Sequence, residues 1–295
     1  MLLPAQPTHE YTGRWNFTGT GQHADRVYWL EVTEKDGRLT GMFLYRTGSP
    51  LPLEAARIED GQLIWKARAR GESPEHRARL EGPKLVGTIQ DRGTPVAVVG
   101  VRPPQWPAAN ANGQHTYGRP VALFDGTSMD TFKLQHATRP SGWSLESGTM
   151  TNTRGANNLV SADTFKDFRL EADYKVEAGS NSGLYLRGRY ELQVLDDHGK
   201  PPEKTGHMAI YGWTAPLVNA SKPAGEWQSM QAVLVGNRVT VMLNGQRVHD
   251  NAEIQAITGG ALDANETAPG PLLIQGDHNK VWYRRIVITP ITATR

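Results

Sequence analysis

The chain of 295 residues is 38% hydrophobic, carries 31 glycines and contains no cysteine, which excludes disulfides, zinc–thiolate sites and cysteine nucleophiles. Thirty-two Lys+Arg against 30 Asp+Glu leave a formal charge of +2, and neither half is strongly basic, so no basic field offers itself to a nucleic acid. No apolar run approaches the ~20 residues of a membrane helix, and the length accommodates two domains.

Met1-Leu2-Leu3-Pro4 is too short for the apolar core of a secretory leader. The cysteine-free composition suits a periplasmic or extracellular location, which is the expectation here. An all-β amino-terminal domain is expected over residues 1–102. Its strands are predicted at 27–32, 40–46, 54–58, 62–68, 76–81, 84–90 and 95–101. Turn signals such as Asp36-Gly37, Asp60-Gly61 and Arg92-Gly93 separate most of them. Seven strands so spaced read as an antiparallel meander, a small barrel or sandwich, with Trp15, Trp29 and Trp65 in its core. The Pro-, Ala- and Asn-rich stretch 103–118 reads as a linker.

Residues 119–295 form a second β-rich domain. The strand 168–177 places Phe168, Leu170, Ala172, Tyr174 and Val176 on one face and Arg169, Glu171, Asp173, Lys175 and Glu177 on the other. A strand over 183–195 follows, then strands at 229–235, 239–243, 246–249, 272–275 and 281–289. Two stacked antiparallel sheets, a jelly-roll-like sandwich, accommodate them.

One face of 183–195 combines Tyr185, Arg187, Arg189, Glu191 and Gln193. A hairpin centred on Gly179-Ser180 sets Asp173 opposite Arg187, Glu171 opposite Arg189 and Arg169 opposite Glu191. Each such pair contributes ~0.2–1 kcal/mol. On this reading Arg187, Glu191 and Gln193 form the floor of a sugar-binding groove. The ordinary glycosidase arrangement, two carboxyls about 5–9.5 Å apart, is not evident. Glu191 and Asp197 are separated by ~20 Å of extended chain. Glu171 and Asp173 are closer, but their arginine partners hold both ionised.

Several segments together resemble the 3-keto-disaccharide hydrolase family. They are 181–196 (NSGLYLRGRYELQVLD), Ala209-Ile210-Tyr211-Gly212, 219–228 (NASKPAGEWQ), Leu243-Asn244-Gly245 and Gln275-Gly276-Asp277-His278. The resemblance runs from Leu123 to Ile288. It implies a concanavalin-like jelly roll acting on sugars oxidised at C3. His207-Met208 departs from the family pattern where smaller residues are usual, at the expected groove rim.

A C3 ketone acidifies the hydrogen on C2, so one base and one electrophile suffice for elimination of the C1 substituent. Glu191 or His278 is assigned as the base, Arg187 or Lys222 as the oxyanion stabiliser, and Tyr211 as acid to the leaving group. Tyr185, Gln193, Gln275 and Asp277 are assigned to sugar hydroxyls, and Trp213 to a ring face. No cofactor is required. A divalent metal on Asp196, Asp197 and His198, or on Asp277 and His278, remains a variant of the same chemistry. The alternative is a non-catalytic, lectin-like module on the same architecture.

Overall fold

In the amino-terminal unit, Asp36-Gly37, Asp60-Gly61 and Arg92-Gly93 all adopt φ between 50° and 77°. Such pairs make the type I′ turns whose twist matches antiparallel strands. The computed structural model describes residues 10–294; the stretch 1–4 lies outside them. The strands are β1 (Gly13–Gly19), β2 (Val27–Lys35), β3 (Arg38–Leu44), β4 (Leu51–Glu59), β5 (Gln62–Ala67), β6 (Glu75–Glu81), β7 (Lys84–Asp91) and β8 (Thr94–Val101). They form a closed barrel in chain order. All seven expected strands are present, and β1 is the eighth that closes the ring by pairing with both β2 and β8.

Trp15, Phe17, Tyr28, Phe43, Trp65 and Val98 fill the barrel. Trp29 is buried but alternates away from that cluster, on the outer side beside its partner Asn16. There the Asn16 amide donates to the Glu266 carboxylate at 2.7 Å. Glu266 ends the segment Ala256–Glu266, which belongs to this unit despite its distance in sequence. Inside the barrel, His76 is fully buried. Its Nδ1 accepts from the Gln90 backbone at 3.1 Å. Its Nε2 meets the Tyr45 hydroxyl at 2.9 Å. That hydroxyl in turn donates to the Ala67 carbonyl. Burial holds the imidazole neutral, its pKa lowered to about 4.

The second unit comprises Trp106–Gln255 and Thr267–Arg295. Its strands are β9 (His115–Tyr117), β10 (Val121–Phe124), β11 (Phe132–Leu134), β12 (Trp143–Glu146), β13 (Thr149–Asn152), β14 (Leu159–Ser161), β15 (Phe168–Val176), β16 (Asn181–Leu186), β17 (Tyr190–Leu195), β18 (Gln228–Val235), β19 (Arg238–Leu243), β20 (Gln246–Glu253), β21 (Leu273–Ile274) and β22 (Val281–Thr294). A nine-stranded sheet has the path β12-β13-β22-β15-β18-β19-β20, with β9 and β10 also on β22. A five-stranded sheet has the order β11-β14-β21-β16-β17. Part of the stretch expected to be a linker is built into this sandwich: β9 pairs with β22, and Ala111 packs on Val233 and Val235.

The expected hairpin between 168–177 and 183–195 does not form. β15 lies between β18 and β22, whereas β16 pairs with β17 and β21 in the other sheet. The tight turn at 177–180, with Gly179 at φ 71°, carries the chain from one sheet to the other. The three expected charge pairs are replaced accordingly. Glu171 meets Arg169 and Arg285, and Asp173 meets Arg284, all within the nine-stranded sheet.

Candidate active site

The run 183–195 is two strands. Arg187 and Gly188, at φ 54° and 67°, make the turn between β16 and β17. The register places Tyr185 opposite Glu191 and Gly183 opposite Gln193. Leu184, Leu186, Leu192 and Val194 are buried on the alternate positions. Tyr185, Glu191, Gly183 and Gln193 therefore share the other face. The Glu191 carboxyl lies directly over Gly183, where any Cβ would sit 2.3 Å from Oε1. Glu191 is 3% exposed, and this burial pushes its pKa up to about 8. A hydrogen bond from Tyr185 opposes the rise, and the negative charge of Asp277 adds to it.

Residues 208–211 extend the β17 edge. Met208 donates to Gln193, Gln193 to Ala209, and Tyr211 to the Glu191 carbonyl. This brings Tyr211, half-buried, into electrostatic reach of Tyr185. His207 and Met208, expected at the groove rim, are instead buried. The His207 ring meets the Tyr174 hydroxyl at 2.7 Å, and its backbone amide donates to Asp197, so the pair anchors this edge from beneath.

The third side comes from Gln275-Gly276-Asp277-His278. Gly276 passes so close to the Asn157 carbonyl that a Cβ would lie 2.4 Å from it. Its amide donates to Asn158 Oδ1. Gln275 donates its amide to the Gly183 carbonyl, and its Oε1 is buried without a hydrogen-bond partner. Such an acceptor suits a hydroxyl donor of a ligand. His278 Nδ1 and Asp277 Oδ1 are 2.7 Å apart, with about half of each side chain exposed. The hydrogen bond between them lowers the Asp277 pKa and raises that of His278. Glu191, Tyr185, Tyr211, Asp277 and His278 thus form one coupled group with a buried end and an exposed rim. Gln193 lies on the same face, its Oε1 accepting from the Val194 amide.

The remaining expected site residues are placed otherwise. The Arg187 side chain has no exposed surface; it binds the Lys166 carbonyl and pairs with Asp167 at 2.8 Å. It is a structural tie at the turn. Lys222 is exposed on a loop and turns its ammonium to the Trp227 carbonyl at 3.0 Å. Trp213, 8% exposed, is enclosed in the 210–214 turn, which leaves little ring face for a sugar. Asp196, Asp197 and His198 do not converge: they bind the Gly179 amide, the His207 amide and the Ser221 carbonyl respectively. Among the described residues no group of three or more His, Asp or Glu is placed to hold a metal ion. Asn158, which fixes Gly276 and donates to Gln135, had no signal beyond its place before a strand.

The model of the 3-keto-alpha-glucoside-1,2-lyase-like domain matches residues 119–289. A 3-keto-disaccharide hydrolase of Bacteroides thetaiotaomicron is 25% identical over an alignment covering 43% of this chain and 57% of that protein. The chain therefore spans little more than half the length of this relative. A crystal structure from Parabacteroides distasonis, provisionally named a glycosyl hydrolase, superposes with a TM-score of 0.50 at 24% identity, covering 57% of this chain and 82% of that one. This likeness shows a shared fold. A family GH16 endo-beta-1,3(4)-glucanase superposes with a TM-score of 0.41 at 10% identity, covering 64% of this chain and 94% of that one.

Proposed function

Because the chain belongs to the 3-keto-alpha-glucoside-1,2-lyase-like family, we propose that it is a carbohydrate-active enzyme that cleaves 3-keto-glycosides, with Glu191 as the base. The observation that carries this reading is a buried carboxyl seated on Gly183, raised to about 8, beside the Asp277–His278 pair. A carboxylate with so high a pKa is a strong base once ionised, matched to a hydrogen acidified by a neighbouring ketone.

Glu191 takes the C2 proton, and its electron pair forms the enolate of the C3 ketone. His278, whose pKa the Asp277 hydrogen bond raises, supplies positive charge to the enolate oxygen in its protonated form, the role first assigned to Arg187 or Lys222. Collapse of the enolate forms the C1–C2 double bond and breaks the C1–O bond, while Tyr211 gives a proton to the leaving oxygen. Water then adds its oxygen to C1 and a proton to C2, which completes net hydrolysis. Gln275 and Gln193 hold sugar hydroxyls. None of these steps calls on a cofactor. A periplasmic or extracellular location belongs to the same proposal; among the described residues no helix is long and apolar enough to cross a membrane.

One observation favours a second reading. The pKa of Glu191 is pushed up and that of Asp277 down, the pattern of a conventional acid and nucleophile pair. Incubation with a 3-keto-glucoside and its unoxidised parent, followed by mass spectrometry with and without chelator, separates the two. Cleavage of the keto sugar alone supports elimination, whereas comparable cleavage of both supports the carboxylate pair. Binding without cleavage identifies a lectin. Glu191→Gln is expected to lower turnover of the keto sugar by about 10³-fold with the melting temperature preserved. Undiminished turnover in the folded variant would remove Glu191 from the mechanism.

A further inference from the structure

The outer face of the nine-stranded sheet carries a second group of side chains, on a different sheet from Glu191. Lys175 alternates outward from β15, and Trp282 outward from β22, opposite the buried Tyr174 and Tyr283. Trp227, just before β18, joins them. The Lys175 ammonium lies between the two indoles, 5.3 Å from one ring centroid and 4.8 Å from the other. Lys280 stands 5.0 Å over Trp282, and Arg284 4.5 Å over Trp227. Both tryptophans retain solvent-accessible surface.

The charges of this face do not balance locally. Asp173 is engaged by Arg284, and Glu171 by Arg169 and Arg285. Glu177 accepts from the Lys280 backbone amide. Among the described residues, no ion pair within 4.0 Å includes Lys175 or Lys280. Two ammoniums thus rest on the faces of these two indoles rather than on carboxylates. Indole faces stack on the apolar face of a pyranose, and unpaired ammoniums attract carboxylates.

We propose that this face is a binding platform for an acidic polysaccharide built from uronates, separate from the site on the five-stranded sheet. The carboxylates of the polymer draw Lys175 and Lys280 off the indoles, and its rings lie on the faces of Trp227 and Trp282 so uncovered. A neutral polymer satisfies the rings but leaves the ammoniums unmatched. The assignment stands whether or not the 3-keto-glycoside reading does, since it uses none of the same residues.

The test is calorimetric titration of the full chain with polygalacturonate, with its methyl-esterified form, and with dextran sulfate. Polygalacturonate is expected to bind at least tenfold more tightly than the ester, and progressively less with added salt. Lys175→Gln/Lys280→Gln should weaken binding about tenfold, and Trp282→Ala should weaken both the acidic and the esterified polymer. Turnover at the Glu191 site and the melting temperature of the lysine variant should be unchanged. The proposal is overturned by equal affinity for acid and ester, by binding of dextran sulfate alone, by no binding, or by unaltered affinity in the lysine variant.

Discussion

Both units of the protein bury ionisable side chains against their preference, and the contrast between one in each, His76 and Glu191, separates structure from function. In the barrel, His76 is enclosed by Phe43, Tyr45 and Trp65, with both ring nitrogens engaged. Because Nδ1 accepts from an amide and Tyr45 donates elsewhere, Nε2 must carry the single proton. Nothing is left over for chemistry. In the sandwich, Glu191 is as deeply buried, but its coupled partners, Tyr211, Asp277 and His278, run outward to solvent. A shifted pKa alone therefore does not mark a site; a shifted group with an exposed, chemically capable rim does.

Arg187 is the case that can break this distinction, because it is buried and charged yet lies in the sandwich. If it is a structural tie, Arg187→Ala should cost about 3 kcal/mol of stability through the lost Asp167 pair. The folded fraction should then turn over at the normal rate, as shown by activity normalised to circular dichroism. A selective loss of turnover at full stability would return Arg187 to the site. The two glycines under close contact sharpen the point. Gly183→Ala drives a Cβ into the Glu191 carboxyl and should lower kcat by about 10²-fold, as ångström-scale misplacement does. Gly87→Ala in the barrel meets the Arg77 carbonyl at 1.9 Å. It should lower the melting temperature and leave turnover of the folded protein intact.

Much of this was legible in the residues. Alternation and Asp-Gly turns located seven barrel strands, because a half-buried strand writes its period into the sequence. β1 escaped because GRWNFTG starts and ends in glycine and carries a buried asparagine, whose partner Glu266 lies 250 residues away. The family-like segments led to Glu191, Tyr185, Tyr211, Gln275, Asp277 and His278, which the fold does bring together. The misplacement of Arg187 has one cause: by alternation alone, 183–195 reads as a single strand. A run of 13 residues exceeds a typical strand, and Arg187-Gly188 carried the same turn chemistry as Arg92-Gly93. The pairing of β15 with β22 rather than β16 was not legible, since a tight turn serves a hairpin and a sheet-to-sheet crossing equally well.

The two buried groups also predict opposite pH dependences of stability. Folded Glu191 keeps its proton to about pH 8, whereas an unfolded glutamate releases it near 4.5. Its contribution is present below 4.5 and is lost as pH rises toward 8, at about 1.4 kcal/mol per pH unit. Unfolded His76 takes up a proton below 6.5, and the folded imidazole resists to about 4. Its contribution is lost as pH falls through that window, at a similar slope. Denaturant unfolding from pH 4 to 8 should therefore show Glu191→Gln gaining on the parent toward pH 8. His76→Gln should gain toward pH 4. Two flat differences would show that burial is not what shifts these groups.

The smallest effect tests the coupling itself. The Asp277 charge raises the Glu191 pKa and, through their hydrogen bond, that of His278. With elimination as the reaction, the active form has Glu191 ionised and His278 protonated, so kcat/KM is bell-shaped and bounded by the two pKa values. Asp277→Asn removes the charge that opposes ionisation of Glu191, which lowers the carboxyl pKa. It also removes the hydrogen-bond partner that raises the His278 pKa, so both limbs move to lower pH. The profile should shift down by roughly half a pH unit with most of the maximal rate retained. An Asp277 that attacks C1 as a nucleophile gives a different result, a collapse of activity at every pH. A full pH profile of this one variant therefore reports both whether the rim tunes the buried base and which of the two carboxyls meets the sugar.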